Sequence, residues 1–284
     1  MTAARTTLRA AAAALFAAML AGCQPNGAQK LLDRYQRIVA PAGPDAFQME
    51  TGTATAIARS GHWLTAWHLV AACRRIDILL ADGAALHAAL IHRDERLDVA
   101  LLRTEPVPGA LALQRADPEP GSRAMAVGFP QLEFSDLDLT YVGRARLLPA
   151  RAQPGAPAAS APIWVTGDRA GGQAGAVRGL SGGPVVLADG RLAGMVVVSG
   201  DGLARRNGPV GQADEAQLGV VPGTLREGLV LVTVGGAEIE AFVDAVGLDP
   251  ERSTSPALPA GSLARQDALR TRGLVGQVVC DKAR

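Results

Sequence analysis

Gly179-Leu180-Ser181-Gly182-Gly183-Pro184 decides how this chain is read. A serine held between glycines and followed by the apolar run Val185 to Leu187 is a hydroxyl exposed at the mouth of a strand. Glycine has no Cβ, so Gly179 and Gly182 permit a tight turn in which the backbone N–H groups of Gly179 and Ser181 can converge on one point. Convergent donors of this kind are what a developing oxyanion requires. Glycine and serine are also ordinary turn residues. Serine is moreover a weak nucleophile that needs a base, and the base needs a group to orient it. The reading therefore turns on whether the rest of the chain supplies both.

Two upstream segments do. His68 lies in Trp63-Leu64-Thr65-Ala66-Trp67-His68-Leu69-Val70, an apolar run that reads as a buried strand ending in a short turn that carries the imidazole. Thirty residues later Asp98 stands directly before the apolar residues Val99 to Leu102, as a carboxylate at the mouth of a core strand. Such a position is costly without a partner. A hydrogen bond to an imidazole N–H would satisfy it, fixing the tautomer and stabilising an imidazolium. A solvated turn aspartate beside an unrelated strand is the alternative for Asp98 taken alone.

In order and spacing the three segments resemble the trypsin-like serine peptidases, and the fit is closest to their bacterial HtrA/Deg-like branch. The resemblance covers roughly residues 49–224. It includes Arg123 to Pro130, which looks like the strand and turn preceding the second barrel's hairpins. It implies an all-β fold of two six-stranded antiparallel β-barrels with a C-terminal helix, and a serine endopeptidase that acts on protein or peptide substrates and needs no cofactor. Carried over residue by residue, His68 is the general base, Asp98 its orienter and Ser181 the nucleophile. Gly179 and Ser181 would supply the oxyanion N–H groups. Two positions depart from the family pattern. Leu180 stands where digestive-type members have an aspartate that pairs with a freshly cleaved N-terminus, and Trp67 replaces a small or polar residue, read as packing near the substrate cleft. Neither removes a chemical role. The runner-up reading is a catalytically inert trypsin-fold binding or scaffold lipoprotein.

Other candidates are weaker. His62, His87 and His92 have no serine or carboxylate context, and Asp94 and Glu95 read as surface charges in a turn. His87 with His92 makes an incomplete metal set, so no metal is expected. Aromatic residues are 4% of the chain and no basic block occurs, which excludes the stacking and phosphate-binding surfaces of nucleic-acid proteins.

At the N-terminus Arg5 and Arg9 precede the apolar run Ala10 to Ala21, too short to span a bilayer and readable as a secretory signal. Its end, Leu20-Ala21-Gly22-Cys23, resembles the bacterial lipobox. That resemblance makes Cys23 a lipidated residue, and the protein a membrane-anchored lipoprotein of the cell envelope. Gln24 rather than aspartate follows it, which by resemblance to Gram-negative lipoproteins implies outer-membrane sorting, with the body facing the periplasm. Without residues 1–22 the chain keeps 26 basic residues against 27 acidic ones, close to balance.

The organisation that follows is a signal over 1–22, a linker over 23–45 with a short helix from Gln29 to Val39, a peptidase domain over 46–247 and an extension over 248–284. Ala237 to Val246 reads as an amphipathic helix with Ile239, Phe242, Val243 and Val246 on one face. Gln153 to Ser160 has loop composition, and Glu251 to Ser262 reads as flexible. No PDZ-sized segment follows the barrels. Met195 to Gly202 should wall the primary specificity pocket and Gly175 to Arg178 lie near its base, which favours small or medium aliphatic side chains before the scissile bond. With Cys23 committed to lipid, Cys73 and Cys280 form an even pair in an oxidising compartment, and a disulfide between them is expected.

Overall fold

The computed structural model describes residues 49–147, 159–166, 179–199, 230–250, 258–259 and 262–282. The signal over 1–22, Cys23, the linker with its helix, Gly175 to Arg178, residues 200–202 and nearly all of Glu251 to Ser262 lie outside them.

Twelve strands among the described residues make two closed barrels, and every pairing within them is antiparallel. The first contains β1 (Met49–Ala58), β2 (His62–Ala66), β3 (Cys73–Leu79), β4 (Ala85–Asp94), β5 (Val99–Arg103) and β12 (Val275–Lys282), in the order β1-β12-β3-β4-β5-β2. The second contains β6 (Arg123–Gly128), β7 (Ser135–Leu147), β8 (Ala159–Thr166), β9 (Pro184–Leu187), β10 (Leu192–Ser199) and β11 (Val230–Gly235), in the order β10-β11-β8-β7-β6-β9. Three α-helices among the described residues accompany them: α1 (Trp67–Val70), α2 (Gly236–Asp244) and α3 (Ser262–Thr271). This is the two-barrel architecture expected from the sequence.

The position of β12 corrects the domain boundary drawn at residue 247. The C-terminal segment is no extension: β12 pairs with β1 on one side, Thr53 opposite Gln277, and with β3 on the other, Ile78 opposite Val278. A sheet closes only when its edge N–H and C=O groups all find partners, and here the last strand of the chain fills the gap between β1 and β3. Its residues Val275 to Cys280 are buried throughout.

Alternation along the strands explains how the barrels meet. Trp63, Ala100, Leu102 and Val278 join one apolar cluster with Ala54, Ala56 and Ile78. Their chain neighbours Leu64, Val99 and Leu101 point the other way, into a second cluster that reaches Met125, Val127 and Val186 of the second barrel. Successive side chains of a strand face opposite sides, so a strand buried on both faces, such as β9, reads as an unbroken apolar run. Each barrel also buries a tryptophan whose indole N–H would otherwise go unpaired. Trp63 donates to Thr104 Oγ1 at 3.0 Å and Trp164 to Thr233 Oγ1 at 3.2 Å.

Helix α2 ends two residues before the predicted limit. Ile239, Phe242 and Val243 are buried as expected, but Val246 lies beyond the helix and is exposed. Arg144 fastens α2 to the barrel, pairing with Asp117 at 2.8 Å and with Glu238. Ala159 and Ser160, read as the end of a loop, are the first residues of β8.

Candidate active site

Strand β2 delivers its last residue, Ala66, directly to α1, so His68 stands at the end of a fully buried strand. The turn before β5 brings Asp98 to meet it. Asp98 is one of two non-glycine residues with positive φ among the described residues, at +57°. Aspartate tolerates this left-handed conformation better than most residues, and here three hydrogen bonds hold it. The Trp67 N–H donates to the Asp98 carbonyl at 3.0 Å, the His68 N–H donates to Oδ1 at 2.8 Å, and His68 Nδ1 meets Oδ2 at 2.6 Å. The carboxylate thus fixes the ring and the backbone that carries it.

The electrostatics follow from that contact. The hydrogen bond that His68 makes to Asp98 raises the pKa of His68 above its ordinary 6.5, against partial burial, which lowers it. The charges of Asp98 and Glu50 act upward and that of Lys282 downward. Glu50 and Lys282 form an ion pair between β1 and β12.

Ser181 sits in the predicted turn, with Gly179 at φ +106° and Gly182 at φ +84°. No side chain would fit at Gly182: a Cβ there would lie 2.0 Å from the Thr53 carbonyl oxygen, 2.7 Å from Thr65 Oγ1 and 3.1 Å from the Ala66 nitrogen. The turn is therefore pressed against β1 and the end of β2, one residue before α1, which brings the Ser181 and His68 segments together. Leu180, far from offering a charge, is fully buried in a cluster with Ala126, Trp164 and Val185. The N–H groups of Gly182 and Gly183 are spent on Val196 at 2.8 Å and Leu180 at 2.7 Å.

What clamps this turn was not foreseen. Thr53 donates its N–H to the Ser181 carbonyl at 2.9 Å and its hydroxyl to the Gly179 carbonyl at 2.7 Å, and the same hydroxyl accepts the Phe129 N–H at 3.2 Å. Thr55 donates its hydroxyl to the Gly182 carbonyl at 2.9 Å, while Thr65 donates to the Thr53 carbonyl at 2.7 Å. The first barrel thus holds the turn that the second barrel carries. The signal was present in Thr51-Gly52-Thr53-Ala54-Thr55, where period two puts three threonines on one face of a strand.

The remaining sequence candidates go elsewhere. Trp67 packs on the first barrel under the Arg93 guanidinium, 4.6 Å from its ring centre. Two of the histidines read as lacking serine or carboxylate context have such a neighbour after all: His62 pairs with Ser60 Oγ at 2.9 Å and His87 lies 3.3 Å from buried Asp77, partners that strand pairing and a tight turn supply; His92 stacks on Phe242. No group of three or more His, Cys, Asp or Glu among the described residues could hold a metal ion. Cys73 and Cys280 form the expected disulfide, with Cα atoms 5.4 Å apart.

Solved structures similar to this one include the Rv3671c protease from M. tuberculosis in its active form, at 18% identity over 72% of this chain and 77% of that one, with a TM-score of 0.49. Its inactive form matches at 18% identity over 70% and 88%, with a TM-score of 0.49. The serine endoprotease from Yersinia pestis matches at 18% identity over 75% and 65%, with a TM-score of 0.47. No curated protein matches the sequence. The model of the trypsin-like peptidase domain matches residues 52–195, which contain His68, Asp98 and Ser181 and make up a little over half of the chain. The chain therefore belongs to the trypsin-like serine peptidases, enzymes that hydrolyse peptide bonds.

Proposed function

We propose that this protein is a serine endopeptidase whose triad is Ser181, His68 and Asp98, with the N–H groups of Gly179 and Ser181 as the oxyanion hole. The observation that carries the reading is the 2.6 Å bond between His68 Nδ1 and Asp98 Oδ2, backed by the second carboxylate oxygen on the His68 N–H. With Nδ1–H donating to Asp98, Nε2 is left as the base. Ser181 Oγ loses its proton to Nε2 as it attacks a peptide carbonyl, and the oxygen takes negative charge facing the two N–H groups. Nε2 then gives the proton to the leaving amine. A water, deprotonated by the same nitrogen, hydrolyses the acyl-enzyme and returns Ser181.

The site is prebuilt to keep those donors aimed: Thr53 and Thr55 hold three carbonyls of the turn. Substrates on this reading are proteins or peptides with small or medium aliphatic side chains before the scissile bond. The Leu20-Ala21-Gly22-Cys23 motif supports a lipid anchor at Cys23 and a place in the cell envelope, on the outer membrane facing the periplasm.

A fluorophosphonate probe tests the chemistry. It should label the wild type and fail on Ser181→Ala. Ser181→Ala and His68→Ala should each lower kcat/KM by roughly 10⁴-fold or more, the double variant being little worse because the groups act as a unit. Additive losses, or an unlabelled wild type, would contradict the triad. Cys23→Ser should abolish incorporation of labelled palmitate and partition into detergent; an unchanged lipid label would refute the anchor.

A further inference from the structure

Gln277 is the one side chain of β12 that breaks an otherwise apolar or glycine run from Val275 to Cys280. It is wholly buried, and among the described residues neither its Nε2 nor its Oε1 has a hydrogen-bond partner. A buried carboxamide left unpaired forfeits its hydration with nothing in return, and a leucine or methionine would fill the position at less cost. Its neighbours point to a use. Gln277 lies directly across from Thr53 on the paired strand, and facing residues of adjacent strands project to the same side within contact of one another.

Thr53 has capacity to spare. Its hydroxyl donates its single proton to the Gly179 carbonyl and accepts from the Phe129 N–H, so one lone pair of the oxygen is left, while the Gln277 amide offers two N–H donors. Another glutamine of the C-terminal segment reaches a neighbour of this turn: Gln266 of α3 donates Nε2 to the Phe134 carbonyl at 3.2 Å, and the Phe134 ring packs on Phe129 with centres 5.1 Å apart. The Phe129 carbonyl in turn backs Gly179, where a Cβ would lie 2.3 Å from it.

We propose that Gln277 is a positioning residue of the serine turn, its amide donating to the Thr53 hydroxyl when substrate loads the oxyanion site and so fixing the Gly179 carbonyl against the pull of the reacting oxygen. The last strand of the chain then does more than close a barrel. It reaches the oxyanion donors through one threonine. The inference rests on the peptidase reading above.

Gln277→Met keeps the length of the side chain and removes its donors. The expected result is a Tm equal to or above that of the wild type, with kcat lowered about fivefold to tenfold, the worth of one hydrogen bond, and KM little changed. A residue that merely packs would leave kcat alone. In a Thr53→Val background the same substitution should have no further effect on kcat, because the two act in series. Thr53→Ser, which restores the hydroxyl, should restore the sensitivity. Full kcat in Gln277→Met, or additive losses with Thr53→Val, overturns the assignment while the peptidase reading stands. A wild type that neither cleaves peptides nor takes the fluorophosphonate overturns both.

Discussion

The two barrels close in different ways. The second draws its six strands from Arg123 to Gly235, one stretch of chain. The first takes five from Met49 to Arg103 and its sixth, Val275–Lys282, from beyond the whole second barrel. Pairing strands so far apart carries a loop-closure cost that local hairpins escape. The half of the site that carries His68 and Asp98 therefore stands on the barrel that depends on the chain's end, whereas Ser181 stands on the one that does not. The disulfide reinforces the dependent barrel: Cys73, which follows α1 closely, is bonded to Cys280 of β12 across a sequence separation of 207.

The largest effect should come from breaking that closure outright. Ending the chain at residue 271 removes β12 and bares the edges of β1 and β3, whose buried N–H and C=O groups lose their partners. Thr53, which holds the serine turn, is on one of those edges. Complete loss of peptidase activity and of near-UV circular dichroism from the first barrel's Trp63 is expected. A truncated chain that still cleaved peptides would mean that the first barrel does not need its sixth strand.

A gentler break leaves the strand and removes only its tether. Cys280→Ser should keep the fold at 25 °C, because β12 retains two paired neighbours, but lower stability. The chain-entropy model gives roughly 5 kcal/mol for a loop of this length, and native disulfides removed from small domains typically cost about 2–5 kcal/mol. Thermal unfolding followed with and without reductant measures it: the wild type should fall to the variant's Tm when reduced, and the variant should be indifferent. Equal Tm values for the oxidised wild type and the variant would show that strand pairing alone secures β12.

Much of the candidate site's local geometry was legible because each part carries its own signal. Glycines at 179 and 182, a histidine closing a buried strand and an aspartate opening another each carry their reason within a few residues. The two cysteines were paired by count and compartment. What escaped was relational. The threonines at 53 and 55 look like ordinary strand residues until Gly179, Ser181 and Gly182 are brought to them across more than 120 positions. In the same way β12 reads as a short apolar strand, and nothing in Val275 to Lys282 says which barrel lacks one. Strand pairing leaves no local trace of the partner, so a boundary at 247 was natural from sequence and wrong in topology. The left-handed backbone at Asp98 was hidden for a different reason: it is imposed by three hydrogen bonds that exist only after β2 and β5 have paired.

The smallest effect concerns charge, and it again separates the two halves of the site. Asp98 raises the pKa of His68 above 6.5, so on the proposed mechanism the ring can serve as a base only once the pH exceeds that raised value. The acid limb of kcat/KM should therefore lie above pH 6.5. The linkage has a definite sign: this pair stabilises the fold below the unfolded ring's pKa, and the contribution disappears as pH rises through the folded value, so the enzyme works where that support has gone. Glu50 of β1 and Lys282 of β12 act on the same ring in opposite directions, the first raising and the second lowering its pKa. Glu50→Gln should move the acid limb to lower pH and Lys282→Gln to higher pH, with the double variant falling between them. Both displacements should shrink in about 1 M salt, where the screening length falls to about 3 Å. Other charges stand near α1, namely Arg74 paired with Asp281 and Arg93 over Trp67; they are untouched by these substitutions and so common to every profile. Limbs that move in the same direction for both variants would mean that the two residues act through the placement of β12 and not through charge.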